Sequence, residues 1–238
     1  MTRDSKMEEL ARDSPFSYTC HQCSRCCYDK RIQVNPYEVA RLAQNKGLST
    51  TELIANYLEL GKPYLDNQSD GACVFLTDQG CGVHADRPLV CRIYPLEQRL
   101  TGEGRESFHY ARPHPETEGM YGQAGTVKDF LMAQGLPPFL EVRDRYVAVV
   151  YRLLDILAQD VEDHEDALET AKDVFSDDAS IQQALGEWLD MDVVVARHCQ
   201  AHRLNEPFDL EERLTVYLEV MEDWINHHSI GGNHENQT

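Results

Sequence analysis

Seven of the eight cysteines fall in two short stretches, and this clustering limits the possible folds more than any other feature. The first stretch is YTCHQCSRCCYD and the second is GACVFLTDQGCGVHADRPLVCRIYP. Disulfide frameworks usually belong to short secreted domains, whereas these cysteines are confined to a small part of a 238-residue polar chain. The pattern therefore points to metal binding. The clustered cysteines are Cys20, Cys23, Cys26, Cys27, Cys73, Cys81 and Cys91.

The first stretch repeats the spacing of a cysteine knuckle. In C-x2-C, two intervening residues let the backbone turn so that both thiolates face one ion, and here the spacing occurs twice, at Cys20, Cys23 and Cys26. Cys27 differs, because adjacent side chains usually diverge. Either Cys27 reaches a second metal, or it packs against the site.

Iron and zinc both fit these ligands. The run C-x2-C-x2-C resembles the one that wraps a bacterial ferredoxin cluster, although no proline follows Cys27. Zinc sites normally complete a tetrahedron with a second distant pair, whereas this chain offers three single distant cysteines. The spacing favours an iron-sulfur cluster, of the [4Fe–4S] type, with zinc as the alternative.

The second stretch predicts a hairpin and a helical turn. Residues 73–76 have the composition of a short strand, and the turn at 78–80 returns Cys81 towards Cys73. Arg87 and Pro88 then open a short helical turn that carries Cys91, and Pro95 ends it.

Nearby basic side chains are candidates for contact with the metal site. Arg92, beside Cys91, is predicted to donate to a cluster sulfide or a ligating thiolate. In the alternative reading, Arg87 and Arg92 pair with nearby aspartates. Seven thiolates are one short of two all-cysteine tetrahedra, so a histidine is a further candidate ligand. The candidates are His84, which lies between Cys81 and Cys91, and His109 and His114.

Together these motifs are similar to the bacterial CxxCxxCC cysteine-cluster family of zinc- or iron-chelating domains, which includes flagellin lysine N-methylase. C-x2-C-x2-CC, G-x-CVFL, GC and RPLVCRIYP carry the resemblance, over residues 16–100. It implies that the seven clustered cysteines form the metal site. It implies less about activity. Many relatives have glycine before the paired cysteines, where this chain has Arg25.

The remaining patterns predict a mainly α fold with more than half of its residues in helices. A cysteine-rich lobe of short helices and a minor β-hairpin (residues 14–125) precedes an acidic α-helical lobe (126–228), and residues 1–13 and 229–238 are expected to be disordered. Helices are predicted from Asn35-Pro36 to Lys46 and from the Ser49/Glu52 capping box. Segments 96–100 and 107–111 form a hairpin, whereas 121–125 is a flexible turn. Leu168, Val174 and Leu185 are predicted core positions.

Charge narrows the range of partners. The net charge is −19, and residues 160–223 hold nineteen acidic against four basic residues, which disfavours nucleic-acid binding. No window approaches eighteen consecutive apolar residues and the first residues lack an apolar leader pattern, so we predict a cytoplasmic protein with no membrane contact. A protein partner or protein substrate fits this surface.

Two function classes remain. In the first, a cluster on the seven thiolates serves an iron-sulfur oxidoreductase, or a methyl transfer to a protein lysine as the family resemblance implies. In the second, structural zinc supports a module that docks a protein partner through its helical lobe. The eighth cysteine, Cys199, is predicted to be a free thiol. His198 and His202 share a helical face that permits joint metal binding, but no H-E-x-x-H pattern supports protease chemistry.

Overall fold

The structure is a computed structural model that describes residues 9–100, 105–158, 186 and 188–230. Helices hold about 47% of these residues and strands about 19%, slightly less helix than expected. The shortfall comes from the strands and loops around the cysteines. The chain forms two compact units, Met1–Gln33 with Leu65–Leu140 and Val34–Tyr64 with Glu141–Thr238. The predicted division between residues 125 and 126 stays a prediction about domains.

The first unit contains every clustered cysteine and three small antiparallel pairs of strands. Two single turns of 3₁₀-helix, Arg25–Cys27 and His84–Asp86, lie between its elements. Its described strands and helices are β1 (Pro15–Thr19), β2 (Leu76–Thr77), β3 (Gly80–Cys81), α3 (Leu89–Ile93), β4 (Leu96–Leu100), β5 (Glu106–Tyr110), β6 (Met120–Thr126) and α4 (Val127–Ala133), with helices numbered along the chain.

The predicted β4–β5 hairpin is confirmed. Leu96 faces Tyr110 and Leu100 faces Glu106 across the ladder. Phe108 is fully buried, and its backbone pairs with that of Leu10. Leu10 is 6% exposed, so this part of the segment expected to be disordered packs on the hairpin. Residues 229 and 230, also expected to be disordered, are helical, and residues 1–8 and 231–238 lie outside the described residues.

The prediction of a flexible turn at 121–125 is wrong, because these residues belong to β6, which pairs with β1. Two glycines made the segment look like a turn. One of them, Gly122, is opposite Ser17, whose hydroxyl lies 2.7 Å from where a Cβ would stand. A side chain at this position would therefore require the Ser17 hydroxyl to move. Phe16 of β1 packs edge-on against Phe130 of α4, with ring centroids 5.0 Å apart.

The β2–β3 hairpin is shorter than predicted. Leu76 pairs with Cys81 and Thr77 with Gly80, whereas Cys73 lies outside the strand. Cys73 instead donates its backbone N–H to the carbonyl of Cys27. Its own carbonyl accepts from the N–H of Leu76, which forms a turn. This backbone pairing links Cys73 to the first cysteine stretch.

The second unit is helical in its described part. It holds α1 (Pro36–Lys46), α2 (Thr50–Tyr57), most of α5 (Pro137–Ala158), α6 (Met191–His202) and α7 (Leu210–Ile230). The capping boxes predicted at Asn35 and Ser49 are confirmed. Tyr37, Leu42, Val195, Tyr217 and Leu218 are almost fully buried in its core.

Cys199 on α6 is a free thiol, as predicted, and it is 2% exposed. The predicted core positions Leu168, Val174 and Leu185 lie outside the described residues. Among the helices that the structure describes, none is both long enough and apolar enough to cross a membrane.

Candidate metal centre

The first cysteine stretch is a tightly turned loop that directly follows β1. Gln22 and Ser24 have φ angles of 55° and 60°, a left-handed conformation that is uncommon for residues other than glycine. The N–H of Gln22 donates to the sulfur of Cys20 at 3.4 Å, and the N–H of Cys27 donates to the carbonyl of Ser24. These local turns bring the four thiols of the stretch into one short segment without help from distant residues.

The second stretch lies beside the first through backbone pairing. The N–H of Cys73 donates to the Cys27 carbonyl at 2.8 Å, and the N–H of Asp29 donates to the Gly71 carbonyl at 2.9 Å. Gly71 has a φ of 83°, and a Cβ there would stand 2.6 Å from a carboxylate oxygen of Asp29. The two stretches can therefore approach this closely only with glycine at position 71.

Cys81 and Cys91 are placed by the short elements that carry them. Cys81 ends β3, and Cys91 lies in α3, where its N–H donates to the Pro88 carbonyl at 3.0 Å. The sequence predicted the turn that carries Cys91, and the structure confirms it.

The thiols of separate segments are near enough to interact electrostatically. Cys27 interacts with Cys26, Cys81 and Cys91, and Cys73 interacts with Cys81. All seven clustered thiols are free of disulfides, and all except the exposed Cys20 are half-buried. Three segments thus bring reduced sulfur donors into one region of the first unit.

The adjacent pair Cys26 and Cys27 shares a hydrogen bond. The Cys27 thiol donates to the sulfur of Cys26, and this bond, together with the charges of Lys30 and Arg87 and against the opposing effect of burial, lowers the pKa of Cys26 to about 7. The same bond raises the pKa of Cys27, as do burial and the charges of its sulfur neighbours. Burial also raises the pKa of Cys73. Cys26 is therefore the thiolate most readily formed of these three.

Two tyrosines that the sequence did not single out stand beside the first stretch. Tyr18 interacts with Cys20 and Cys26, and Tyr94 interacts with Cys23 and Cys26. Burial raises the pKa of both phenols. Their rings meet edge-on with centroids 6.2 Å apart. In the sequence, only the closeness of these tyrosines to cysteines could have indicated that they lie beside the site.

Residues 111–119 hold these tyrosines in place. The hydroxyl of Thr117 hydrogen-bonds to both phenols, and the backbone of His114 hydrogen-bonds to the phenol of Tyr94. A Cβ on Gly119 would stand 1.9 Å from the Tyr18 hydroxyl oxygen, so the ring lies directly on this glycine. An ion pair between Arg25 and Glu116, at 3.4 Å, ties the same segment to the cysteine loop.

Arg92 was predicted to contact a metal cluster. In the structure, its side chain forms hydrogen bonds to backbone carbonyls. The guanidinium donates to the carbonyls of Ala85, Arg87 and Gln134, and it stacks over the Phe139 ring at 4.2 Å. Its side chain is 7% exposed. Arg92 thus positions the turn before Cys91, and its contact with a bound cluster stays a prediction.

The predicted aspartate pairing of Arg87 is not among its described bonds. Arg87 donates to the carbonyl of His84 and to the side-chain oxygen of Gln134. Its charge also lies close enough to lower the pKa of Cys26.

The three candidate histidines have different surroundings. Burial, together with the charges of Arg87 and Arg92, lowers the pKa of His84 and so favours a neutral ring. His109 is buried on β5, with one ring nitrogen 3.3 Å from the Ser107 hydroxyl. The Nδ1 of His114 accepts from the N–H of Glu116. Metal ligation by any of the three stays a prediction.

The donor chemistry fits a thiophilic metal. Thiolates select zinc, copper(I) and iron-sulfur clusters. Within the residues described, no three His, Cys, Asp or Glu side chains are already arranged as ligands of one ion. The sulfurs are neighbours, so metal binding requires side-chain rotation and loss of the Cys26–Cys27 hydrogen bond, since ligating thiols are deprotonated.

Comparison with known proteins identifies this region. Residues 19–114 match the model of the family CxxCxxCC, described as "Putative zinc- or iron-chelating domain". This segment is similar to that family. The match contains all seven clustered cysteines and confirms the recognition made from the sequence. No curated protein and no solved structure matches the chain. The match supports metal binding by this segment.

Proposed function

We propose that residues 19–114 bind an iron-sulfur cluster of the [4Fe–4S] type through their clustered thiols. The observation that carries this proposal is the convergence of free, half-buried thiols from separate segments, with Cys27 near Cys81 and Cys91. The C-x2-C-x2-C spacing of the first stretch supports iron-sulfur over zinc, because runs of this kind wrap such clusters.

The surroundings of Cys26 suit a negatively charged centre. Lys30 and Arg87 place positive charge near its sulfur, which stabilises a thiolate. Tyr18 and Tyr94 lie near the same sulfur and are themselves partly buried, so we propose that they limit its contact with water. Solvent exposure and hydrogen bonds to sulfur are among the factors that set the potential of an iron-sulfur cluster.

A bound cluster would supply one-electron chemistry or support the transfer of a group. The chain's own residues then have separate tasks: the thiols ligate, the two tyrosines limit water, and Arg92 positions the turn before Cys91. We propose a redox role or methyl transfer to a protein lysine, the latter from the resemblance to the family that includes flagellin lysine N-methylase. The partner is a protein in the cytoplasm, not nucleic acid, because the chain carries a net charge of −19.

Metal and acid-labile sulfide analysis of anaerobically purified protein, with a visible spectrum, tests this proposal. We expect brown protein with iron and sulfide in similar amounts. Cys81→Ser should change the metal content, whereas the matched control Cys199→Ser should retain it, since Cys199 lies in the second unit. Colourless protein that holds zinc without sulfide would contradict the iron-sulfur assignment.

A second candidate is a structural zinc module that docks a protein partner through its helical region. Two exposed apolar side chains in the connection between α6 and α7 favour it, Leu204 at 57% and Phe208 fully exposed. Such side chains often mark a contact surface. For this candidate, the double change Leu204→Ser and Phe208→Ser should abolish capture of a specific partner while zinc content stays constant. Loss of zinc in this variant, or undiminished capture, would contradict it.

A further inference from the structure

An open cavity of about 470 Å³ lies against both cysteine stretches. Three segments of the first unit line it: residues 22–28 of the cysteine loop, residues 68–72, and residues 76–80 of the β2–β3 hairpin. Small-molecule sites in proteins usually measure about 300–1,000 Å³. The cavity is therefore large enough for a small organic group.

Hydrogen bonds within two of these segments fix the shape of the cavity. The side-chain amide of Gln68 donates to the carbonyls of Cys73 and Leu76, at 3.0 and 2.9 Å. The Thr77 hydroxyl donates to the Gly80 carbonyl at 2.9 Å and so closes the hairpin turn. The walls thus have their own bonds before any ligand binds, which reduces the cost of ordering them around one.

The cavity presents acceptors and negative charge. Its lining includes the carboxylates of Asp70 and Asp78 and the half-buried Tyr28, but no Lys, Arg or His side chain. One oxygen of Asp70 accepts from the N–H of Ala72 at 3.0 Å. Within the residues that the structure describes, neither the Asp78 carboxylate nor the Tyr28 hydroxyl has a hydrogen-bond or ion-pair partner. These groups are available to a ligand.

We propose that this cavity binds an organic cation through its ammonium or guanidinium group. Two carboxylates with no basic side chain in the lining attract positive charge, and hydrogen bonds from N–H groups to ionised oxygen are the strong ones. The ring of Tyr28 adds an aromatic face, which also attracts cations. A bare metal ion fits less well, because in the described part of the chain no three His, Cys, Asp or Glu side chains are arranged as ligands of one ion.

The position of the cavity places this ligand beside the candidate metal centre. Gln22 and Ser24, which line it, alternate along the chain with the cysteines of the first stretch, and Gly80 directly precedes Cys81. The inference goes beyond the proposed function, because the cavity needs no metal to form. The cationic group has two possible sources, a free small amine or a side chain of a protein partner.

Isothermal titration calorimetry of the reduced full chain, with and without metal, tests the proposal. The free probes are butylamine and agmatine, the peptide probes are blocked tripeptides with a central lysine or arginine, and the neutral comparator has a central glutamine. We expect the cationic probes to bind and the neutral peptide to bind at least about tenfold more weakly. Tighter binding of the tripeptides indicates a protein partner, and tighter binding of the free amines indicates a small molecule. Equal binding of the neutral peptide, or no binding of any cationic probe at millimolar concentration, would overturn the proposal.

Isosteric variants locate the binding. Asp70→Asn and Asp78→Asn should each weaken binding of the cationic probes by about tenfold. Asp66→Asn is the matched control, because Asp66 is exposed and outside the lining. Far-UV circular dichroism shows which variants fold, and unchanged affinity in folded variants of both lining aspartates would overturn the proposal.

Nuclear magnetic resonance of the wild-type chain gives a test that needs no variant. On titration with agmatine, the amide signals of Gln22, Ser24 and Gly80 should shift together and saturate. Shifts confined to other parts of the chain would overturn the proposal. Binding in metal-free protein that never takes up iron or sulfide would leave this inference standing while the iron-sulfur assignment fails.

Discussion

At the scale of single residues, the hydrogen bond between Cys26 and Cys27 lowers the pH at which the Cys26 thiol becomes reactive. In metal-free, reduced protein, alkylation of Cys26 should reach half its maximal rate near pH 7, because its pKa is lowered to about 7. Cys73 should react only at higher pH, since burial raises its pKa. Mass spectrometry of peptides after timed iodoacetamide treatment across a pH series measures both rates. Equal pH profiles for the two cysteines would contradict this account.

Replacement of Arg92 should destabilise the protein more than replacement of an exposed arginine. Arg92→Lys removes the planar fork that serves three backbone carbonyls, and we expect a loss of about 2–4 kcal/mol in the free energy of unfolding. The control Arg105→Lys, at a side chain 70% exposed, should change the stability by less than about 1 kcal/mol. Urea denaturation measures both. Similar losses at both positions would show that the carbonyl bonds contribute little.

Gly119 is the residue on which the tyrosine pair depends most closely. Gly119→Ala places a methyl group 1.9 Å from the Tyr18 hydroxyl oxygen, so the ring or the loop must shift, at a cost of about 1–3 kcal/mol. Thermal unfolding should show the loss, and bound metal should be released faster to a chelator. Gly186→Ala is the matched control, because no atom of the described residues lies within 4 Å of its added Cβ. Unchanged melting and chelation in Gly119→Ala would contradict the placement of Tyr18.

At the scale of elements, local sequence predicted the helices better than the strands. The capping boxes at Asn35 and Ser49 were readable because each joins residues three apart. The pairing of β1 with β6 was not, because it joins residues about a hundred positions apart and β6 contains two glycines. The contacts of Thr117 and Gly119 with Tyr18 could not be predicted for the same reason, since these residues lie near Tyr18 through the pairing of β1 with β6. The seven cysteines themselves were predicted from spacing alone.

The capping box of α4 makes a testable contribution at low pH. Hydrogen bonds from the Thr126 hydroxyl and backbone N–H lower the pKa of Asp129 in the folded state. Its stabilising effect is therefore fully present above the unfolded-state pKa, about 3.9, and is lost as the pH falls through the lower folded-state value. The melting temperature of Asp129→Asn should lie below that of wild type at pH 7, and the gap should close towards pH 3. A gap that stays constant over this range, or that also appears in the exposed-turn control Asp78→Asn, would contradict the assignment.

At the scale of the whole molecule, the account separates a metal-binding part from a helical part. The cysteines, the tyrosine pair and the Arg92 turn all belong to the first unit, whereas Cys199 and the described helices α6 and α7 belong to the second. The predicted domain division between residues 125 and 126 stays a prediction. The second compact unit includes residues 34–64, and this grouping of distant segments cannot be predicted from the order of elements along the chain.

X-ray absorption spectroscopy of the metals in the purified protein tests the central claim most directly, because it reports which atoms ligate them. The account predicts a first shell made mainly of sulfur, at about 2.3 Å for any zinc present, with iron showing the metal neighbours of a cluster. Cys199→Ser should give the same spectra as wild type. A first shell dominated by nitrogen or oxygen, or protein that holds no metal after anaerobic reconstitution, would contradict the claim that the clustered thiols form a metal centre.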